Sequence, residues 1–274
     1  MIPALPAAIT VQLAQTRALL DAHLGPRLLA LHLLGSAVAG GLRPHSDIDL
    51  VATIDAPLAD AERGALMQAL LGLSAWPGTN PALRALEVTI VVRRDMVPWQ
   101  YPPRREMQFG EWLRTDIEAG VYEASLADPD LAILLTQARE SGIALAGPPA
   151  QAWFEPVPQA DLVRALRDTM AQWNGPDDWA GDELTVVLAL ARIDYSAHTG
   201  RIVPKDVAAA WALERLPARL RPLLAQASAA YLGDHTEPFV AEPGVLADYV
   251  RHMRGQAEAL LAGPPDSARV PGAV

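Results

Sequence analysis

Leu33-Leu34-Gly35-Ser36, then ten residues, then Asp47-Ile48-Asp49-Leu50-Val51-Ala52-Thr53-Ile54: an apolar run ends in a Gly-Ser turn, and two carboxylates open a second apolar run. In a strand, side chains two apart share a face, so Asp47 and Asp49 project together. Carboxylates side by side raise each other's pKa unless a cation sits between them. Hard oxygen ligands of this kind suit Mg²⁺, which bridges one or two carboxylates to nucleotide phosphates. A Gly-Ser turn after a strand can offer backbone N–H groups and a hydroxyl to phosphate oxygens. A D-x-D triplet alone is also found on ordinary surface strands. Joined to the preceding strand and turn, it points to a nucleotide site.

Working outward, the apolar positions Ile9, Leu13, Leu19 and Leu20 predict an amphipathic helix over 6–24, stopped by Gly25-Pro26. A strand is expected over 28–34 and a helix around 58–73. A Pro/Gly-rich loop at 77–81 leads to a third strand, Leu86 to Val92. Together these make a mixed α/β domain. Glu87 opens the third strand and has two readings. It faces the Asp pair from a neighbouring strand, completing a set of three carboxylates that holds two Mg²⁺ ions and keeps an oxygen as general base. Or it is an edge-strand glutamate facing solvent.

From about residue 104 the pattern turns helical. Ala146-Gly147-Pro148-Pro149 and Glu155-Pro156-Val157-Pro158 have the proline density of a domain connection. Beyond them helices are expected over 159–173, 182–198, 205–214, 217–231 and 243–261, an all-helical bundle. The expected organisation is a first domain over 1–157, a helical domain over 158–262 and a flexible tail over 263–274.

Bulk composition narrows the function. With 274 residues, 51% hydrophobic and 20% charged, the chain is globular. It contains no cysteine, which excludes disulfides and thiolate metal sites. The net charge of −10, from 32 acids against 22 bases, argues against nucleic acid as the main partner. It suits a cationic small molecule, though acidity for solubility alone is common. No apolar run reaches membrane-spanning length; the longest strongly apolar helical stretch is Leu184 to Ile193. The first basic residue is Arg17, so the amino terminus lacks the charged region of a signal peptide, and a soluble cytoplasmic monomer is expected.

Lys205 is the only lysine; every other basic side chain of this class is arginine. It is either a site that needs a compact ammonium, such as a point contact to phosphate, or one surviving surface lysine. The six histidines, His45 beside the Asp pair among them, show no zinc-like spacing.

Several stretches in the same order resemble the aminoglycoside (3'')(9) adenylyltransferases, which modify streptomycin and spectinomycin. They are Leu33-Leu34-Gly35-Ser36-Ala37-Val38 through Asp47-Ile48-Asp49-Leu50, Glu87-Val88-Thr89-Ile90-Val91-Val92 and Gln108-Phe109-Gly110-Glu111-Trp112. Asp130 to Thr136, Pro176 to Glu183 and Ile202 to Ala209 complete the set. The resemblance runs from about residue 10 to 260. It implies a polymerase-β-like nucleotidyltransferase domain followed by a helical bundle, with ATP as co-substrate and two Mg²⁺ ions. It assigns Asp47, Asp49 and Glu87 to metal, Glu87 also to deprotonation of the drug hydroxyl, and Ser36, Ser46, Arg192 and Lys205 to the triphosphate.

The drug is expected to contact Trp112, Asp178 and Asp182. A lone tryptophan also fills cores, and acids at a helix start also cap it. Asp178 and Asp182, four apart, share a face if the helix carrying Arg192 reaches back that far. Enzymes of this family restricted to spectinomycin lack counterparts of Trp112 and Asp178, so their presence implies the dual-substrate type. Arg43 stands where a lysine is common and Ala39 where an acid occurs. Two rivals share the Asp pair: a nucleotidyltransferase acting on tRNA or protein, which calls for a basic groove, and an inactive binding partner, which has no need of Glu87, Arg192 and Lys205 together.

Overall fold

The computed structural model describes residues 6–39, 41–44, 46–234 and 239–261. Gly40 and His45 of the glycine-rich loop, and the expected tail at 263–274, lie outside the described residues. The chain divides into two compact units, one ending at Ala165 and taking in Tyr231–Gly233, the other covering Leu166–Ala230 and resuming at Asp234.

The first unit is built on a five-stranded mixed sheet. Its strands are β1 (Leu28–Leu33), β2 (Ile48–Ile54), β3 (Leu86–Val92), β4 (Met107–Phe109) and β5 (Ile143–Ala146), in the order β4-β3-β2-β1-β5. Only β2 and β3 are parallel; the β1–β2, β3–β4 and β1–β5 pairs are antiparallel. Helices α1 (Thr10–Leu24) and α2 (Asp60–Leu71) cover one face. Ile9, Leu13, Leu20, Leu66 and Leu70 pack there on Leu50, Ala52, Val88, Ile90, Met107 and Phe109. At the start of α2 the Glu62 carboxylate accepts the N–H of Ala59 at 2.9 Å, as acids three residues into a helix do.

Alternate residues point the other way. Leu34, Val51 and Val91 pack on Leu131, Leu135 and Ala138 of α3 (Asp130–Ser141) and on Ala150 and Phe154. Both faces of the central strands are therefore dry, which is why β2 and β3 are apolar almost throughout. The charged exceptions are Asp49 and Glu87, each half-buried near the beginning of its strand; the other polar residues there, Thr53 and Thr89, are buried.

The helical course expected after residue 104 is interrupted by four short strands, two of which, Arg104–Arg105 and Leu126–Ala127, pair antiparallel with each other outside the main sheet. Met107–Phe109 and Ile143–Ala146 are the two edge strands of the sheet. Three or four residues are too few for a period-2 signal to outweigh a helical background, and pairing with β3 and β1 decides their conformation.

In the second unit α4 (Gln159–Met170) is followed by α5 (Glu183–Thr199), α6 (Lys205–Leu213), α7 (Arg221–Leu232) and α8 (Pro243–Leu261), α4 and α7 both spanning the division. The helices thus form where the apolar spacing places them, with ends shifted by a few residues. α5 is its axis: Val186 to Ala191 are buried without a break. The buried Tyr249 of α8 donates its hydroxyl to the Val187 carbonyl at 2.9 Å. α5 stops at Gly200 in the left-handed region, φ 68°, the usual helix terminator.

Candidate active site

Parallel pairing of β2 and β3 sets Asp49 directly opposite Glu87, in a continuous register from Ile48↔Leu86 to Ile54↔Val92. Register partners on neighbouring strands lie roughly 4.8 Å apart and share a face. Asp49 and Glu87 belong to the α3 side of the sheet by strand parity, two residues before Val51 and four before Val91 respectively. They lie nearer the strand starts than the apolar packing on that face. Asp47, also half-buried, precedes the first residue of β2 and keeps the same parity. The edge-strand alternative for Glu87 does not hold: β3 is an interior strand, and Glu87 is half-buried.

The turn after β1 presses against this pair. Leu34 donates its N–H to the Asp49 carbonyl at 2.9 Å, and Gly35 adopts φ 65°. A Cβ at Gly35 would fall 1.8 Å from Asp49 Oδ2 and 2.6 Å from its Cγ. Only glycine combines that backbone conformation with that approach. Ser36 follows within the 3₁₀ turn Gly35–Ala37 and is half-buried.

Ser46 is placed differently from Ser36. It is buried, and its Oγ accepts the Arg43 N–H at 2.9 Å, while its own N–H goes to the Arg43 carbonyl at 3.1 Å. Arg84 clamps the same loop, donating from Nη1 to the carbonyls of Arg43 (2.8 Å), Pro44 (3.2 Å) and Ser46 (3.0 Å). Nothing in the sequence singles out Arg84, because its partners are backbone atoms some forty residues away.

Trp112 is half exposed, at 52%, so it is no core residue. Its ring lies over Gly110, where a Cβ would come within 2.2 Å of the six-membered ring. The turn carrying it, Glu111–Leu113, is anchored by Glu111, which is buried with its carboxylate toward Arg114 (2.7 Å to Nε, 2.9 Å to Nη2) and the Ser74 hydroxyl. Ser74 Oγ also accepts the Leu86 N–H at 2.9 Å, tying the Trp112 turn to the start of β3. Burial alone would raise the Glu111 carboxyl; the hydrogen bonds from Arg114 and Ser74 and the Arg114 charge outweigh it and hold the pKa below the ordinary glutamate value.

Gln108, on β4, donates from Nε2 to Glu87 Oε1 at 3.1 Å. The sequence assigns it no role, beyond its place at the head of the family-like stretch Gln108 to Trp112 and between two apolar residues, Met107 and Phe109.

In the second unit Arg192 sits half-buried on α5 between the buried Ala191 and Ile193, and Lys205 is the first residue of α6, after Pro204. Asp178 and Asp182 do not share a helix face. Asp178 closes the separate 3₁₀ turn Pro176–Asp178, its Oδ2 accepting the N–H groups of Asn174 (2.7 Å) and Gly175 (2.9 Å). Asp182 is the residue before α5, without a side-chain cap bond. Gly181, at φ 90°, lies between the two and breaks the helical path. Both acids are exposed.

Among the described residues no group of three or more His, Cys, Asp or Glu side chains is closed up enough to hold a metal ion as it stands. The fit to Mg²⁺ therefore rests on donor chemistry and backbone placement. Hard carboxylate oxygens stand on adjacent strand starts, beside a turn that approaches Asp49 to within the width of one missing methyl group.

Comparison with known proteins decides the family. The chain is 52% identical over 250 residues to an aminoglycoside (3'')(9) adenylyltransferase of Escherichia coli, across 91% of this chain and 95% of that relative. It belongs to this family. The adenylyltransferase is 37% identical, over 91% of its length and 95% of the relative, to a spectinomycin 9-adenylyltransferase of Staphylococcus aureus. Its residues 152–256 match the aminoglycoside adenylyltransferase C-terminal domain. It superposes with a TM-score of 0.84 on the spectinomycin adenyltransferase AAD(9) from Enterococcus faecialis, solved with ATP and spectinomycin. That match has 29% identity and covers 90% of this chain and 98% of that one. The mixed-sheet unit followed by helices is the nucleotidyltransferase architecture of these relatives, and the protein is an enzyme, a nucleotidyltransferase. No helix among the described residues is long and apolar enough to cross a membrane.

Proposed function

We propose that this enzyme moves AMP from ATP to the 3'' hydroxyl of streptomycin and the 9 hydroxyl of spectinomycin, releases pyrophosphate, and so confers resistance on its host. The observation that carries the reading is the register pair Asp49–Glu87 on parallel strands, with Asp47 beside it and Gly35 packed onto Asp49. The relatives' names add the acceptors, and the ATP and spectinomycin of the E. faecialis enzyme add the two ligand classes.

Glu87 accepts the proton of the drug hydroxyl. The oxygen then attacks the α-phosphorus in line, the new O–P bond forming as the bond to the β-phosphate oxygen breaks and its electron pair leaves with pyrophosphate. Asp47 and Asp49 would hold two Mg²⁺ ions, Glu87 sharing one, and these would neutralise the triphosphate and make the hydroxyl more acidic. Ser36 and the loop closed by Ser46 orient the phosphates. Arg192 and Lys205 add cationic donors to them, and Lys205 supplies the point charge expected of a lone lysine. Trp112, Asp178 and Asp182 bind the drug, an aromatic face and two carboxylates being complementary to guanidinium and ammonium groups. The enzyme works as a cytoplasmic monomer.

The test uses Glu87→Gln with labelled ATP and streptomycin, spectinomycin or no acceptor. ATP binding should persist while transfer falls by roughly 10²–10⁴-fold, the usual worth of a general base. Wild-type turnover by the variant refutes the Glu87 assignment. Label transferred without either drug refutes the acceptor assignment.

A further inference from the structure

We propose that Gln108 is a positioning residue for Glu87, holding the carboxylate of the base in the orientation that meets the drug hydroxyl. The proposal rests on Glu87 being the base. The contact itself is direct: Gln108 Nε2 lies 3.1 Å from Glu87 Oε1.

The short strand β4 exists in a form suited to this contact. Its ladder sets Met107 opposite Ile90, Gln108 opposite Thr89 and Phe109 opposite Val88. Met107 and Phe109 are buried in the core on the α1–α2 side, which turns Gln108 to the other face, the one that carries Glu87 and Thr89. Just before it, Glu106 donates its N–H to the Ile90 carbonyl at 2.9 Å, and its carboxylate is buried against the Arg63 guanidinium at 2.8 Å. Just after it, Gly110 and Glu111 begin the anchored Trp112 turn. The backbone on both sides of Gln108 is therefore pinned, and its amide is presented from a fixed point.

A glutamate has three rotatable side-chain bonds, and a general base must reach its proton within about 2.6–3.2 Å. Acids face Glu87 on its other side: Asp49 is its register partner and Asp47 precedes β2. A neutral amide that engages one oxygen fixes the plane of the carboxylate without neutralising its charge. Residues that support a reacting group in this way act through its geometry, so their loss lowers turnover more than binding.

The experiment is a double-mutant cycle on the full chain, with Gln108→Met, Glu87→Gln and both together, reading kcat, KM for ATP and drug, and ATP dissociation constants. Gln108→Met should lower kcat about tenfold with KM for ATP changed less than about twofold, and should have almost no further effect on the residual rate of Glu87→Gln. An equal fractional loss in both backgrounds means that Gln108 acts independently of Glu87 and overturns the proposal. So does unaltered kcat in Gln108→Met when Glu87→Gln is inactive, which leaves the base assignment standing. Full turnover by Glu87→Gln removes the base assignment and this proposal together. Should Gln108→Met fail to melt cooperatively, Gln108→Asn takes its place in the cycle, since it keeps the amide and withdraws it by one methylene.

Discussion

The strand starts of the sheet unit and the acidic turn of the helical unit both present carboxylates, and they hold them by opposite means. Asp49 and Glu87 are delivered by a seven-pair parallel ladder and confined by the Gly35 turn and Gln108. Asp178 and Asp182 stand on a short exposed turn, the first held by two local backbone N–H groups and the second before a helix start. The chemistry proposed for the first pair requires placement to a fraction of an ångström, which only long-range pairing and packing supply. The drug contacts proposed for the second tolerate adjustment, as contacts made by exposed turns do.

The comparison breaks most severely at Gly35. Gly35→Ala should displace the Asp49 carboxylate and lower adenylyl transfer by roughly 10²–10³-fold, since a misplacement of about 1 Å at a reacting centre can cost about 10². The left-handed backbone adds about 1–3 kcal/mol of strain. Steady-state kinetics and thermal melting check both numbers; an active, equally stable variant would show that the turn does not constrain Asp49.

Glu111→Ala should come next. It leaves Arg114 and Ser74 without their carboxylate and should cost about 2–4 kcal/mol; breaking a buried pair costs about 3–5, and Arg114 retains some solvent. Denaturant unfolding measures this. The drug KM should rise more than the ATP KM, because the Trp112 turn loses its anchor.

Asp178→Ala should have a smaller effect on stability, about 1 kcal/mol, the usual worth of a capping acid. Its larger consequence should be a raised KM for streptomycin with the ATP KM unchanged, measured with each drug as acceptor.

The smallest effect is in pH dependence, where two buried carboxylates carry opposite signs. Burial raises the Asp194 carboxyl despite the charges of His198, His252 and Arg215 around it. Its folded value thus lies above the unfolded one, and the native state holds the extra proton between them. Wild type should therefore gain stability relative to Asp194→Asn as pH falls from neutral toward the ordinary aspartate range. The folded pKa of Glu111 is lowered, so its contribution is present above the ordinary glutamate value and is lost only as pH falls below it. Unfolding free energies of wild type, Asp194→Asn and Glu111→Gln at several pH values would separate them; parallel curves for all three would remove both signs.

How much was legible varies with the range of the interactions. The central strands and the helices after residue 158 appear where apolar spacing places them, because their burial is nearly complete and their periods are local. The edge strands at Met107–Phe109 and Ile143–Ala146 are too short to announce themselves. Asp178 and Asp182 look like helix-face partners by spacing alone, and Gly181 undoes that by a single backbone angle. Trp112 is a residue type that usually fills cores, yet it stands 52% exposed with one face of its ring over Gly110.

By itself the sequence determined which residue types were available and their local phase: two acids on one strand face, a glutamate opening another apolar run, a lone lysine, a row of helices. Tertiary structure alone decided that Glu87 lies opposite Asp49, that Gln108 reaches it from an edge strand, and that Gly35 has room for no side chain. Those relations join segments tens of residues apart. Pairing across such distances is set by which apolar faces bury one another, a property of the whole packed core and not of any stretch within it.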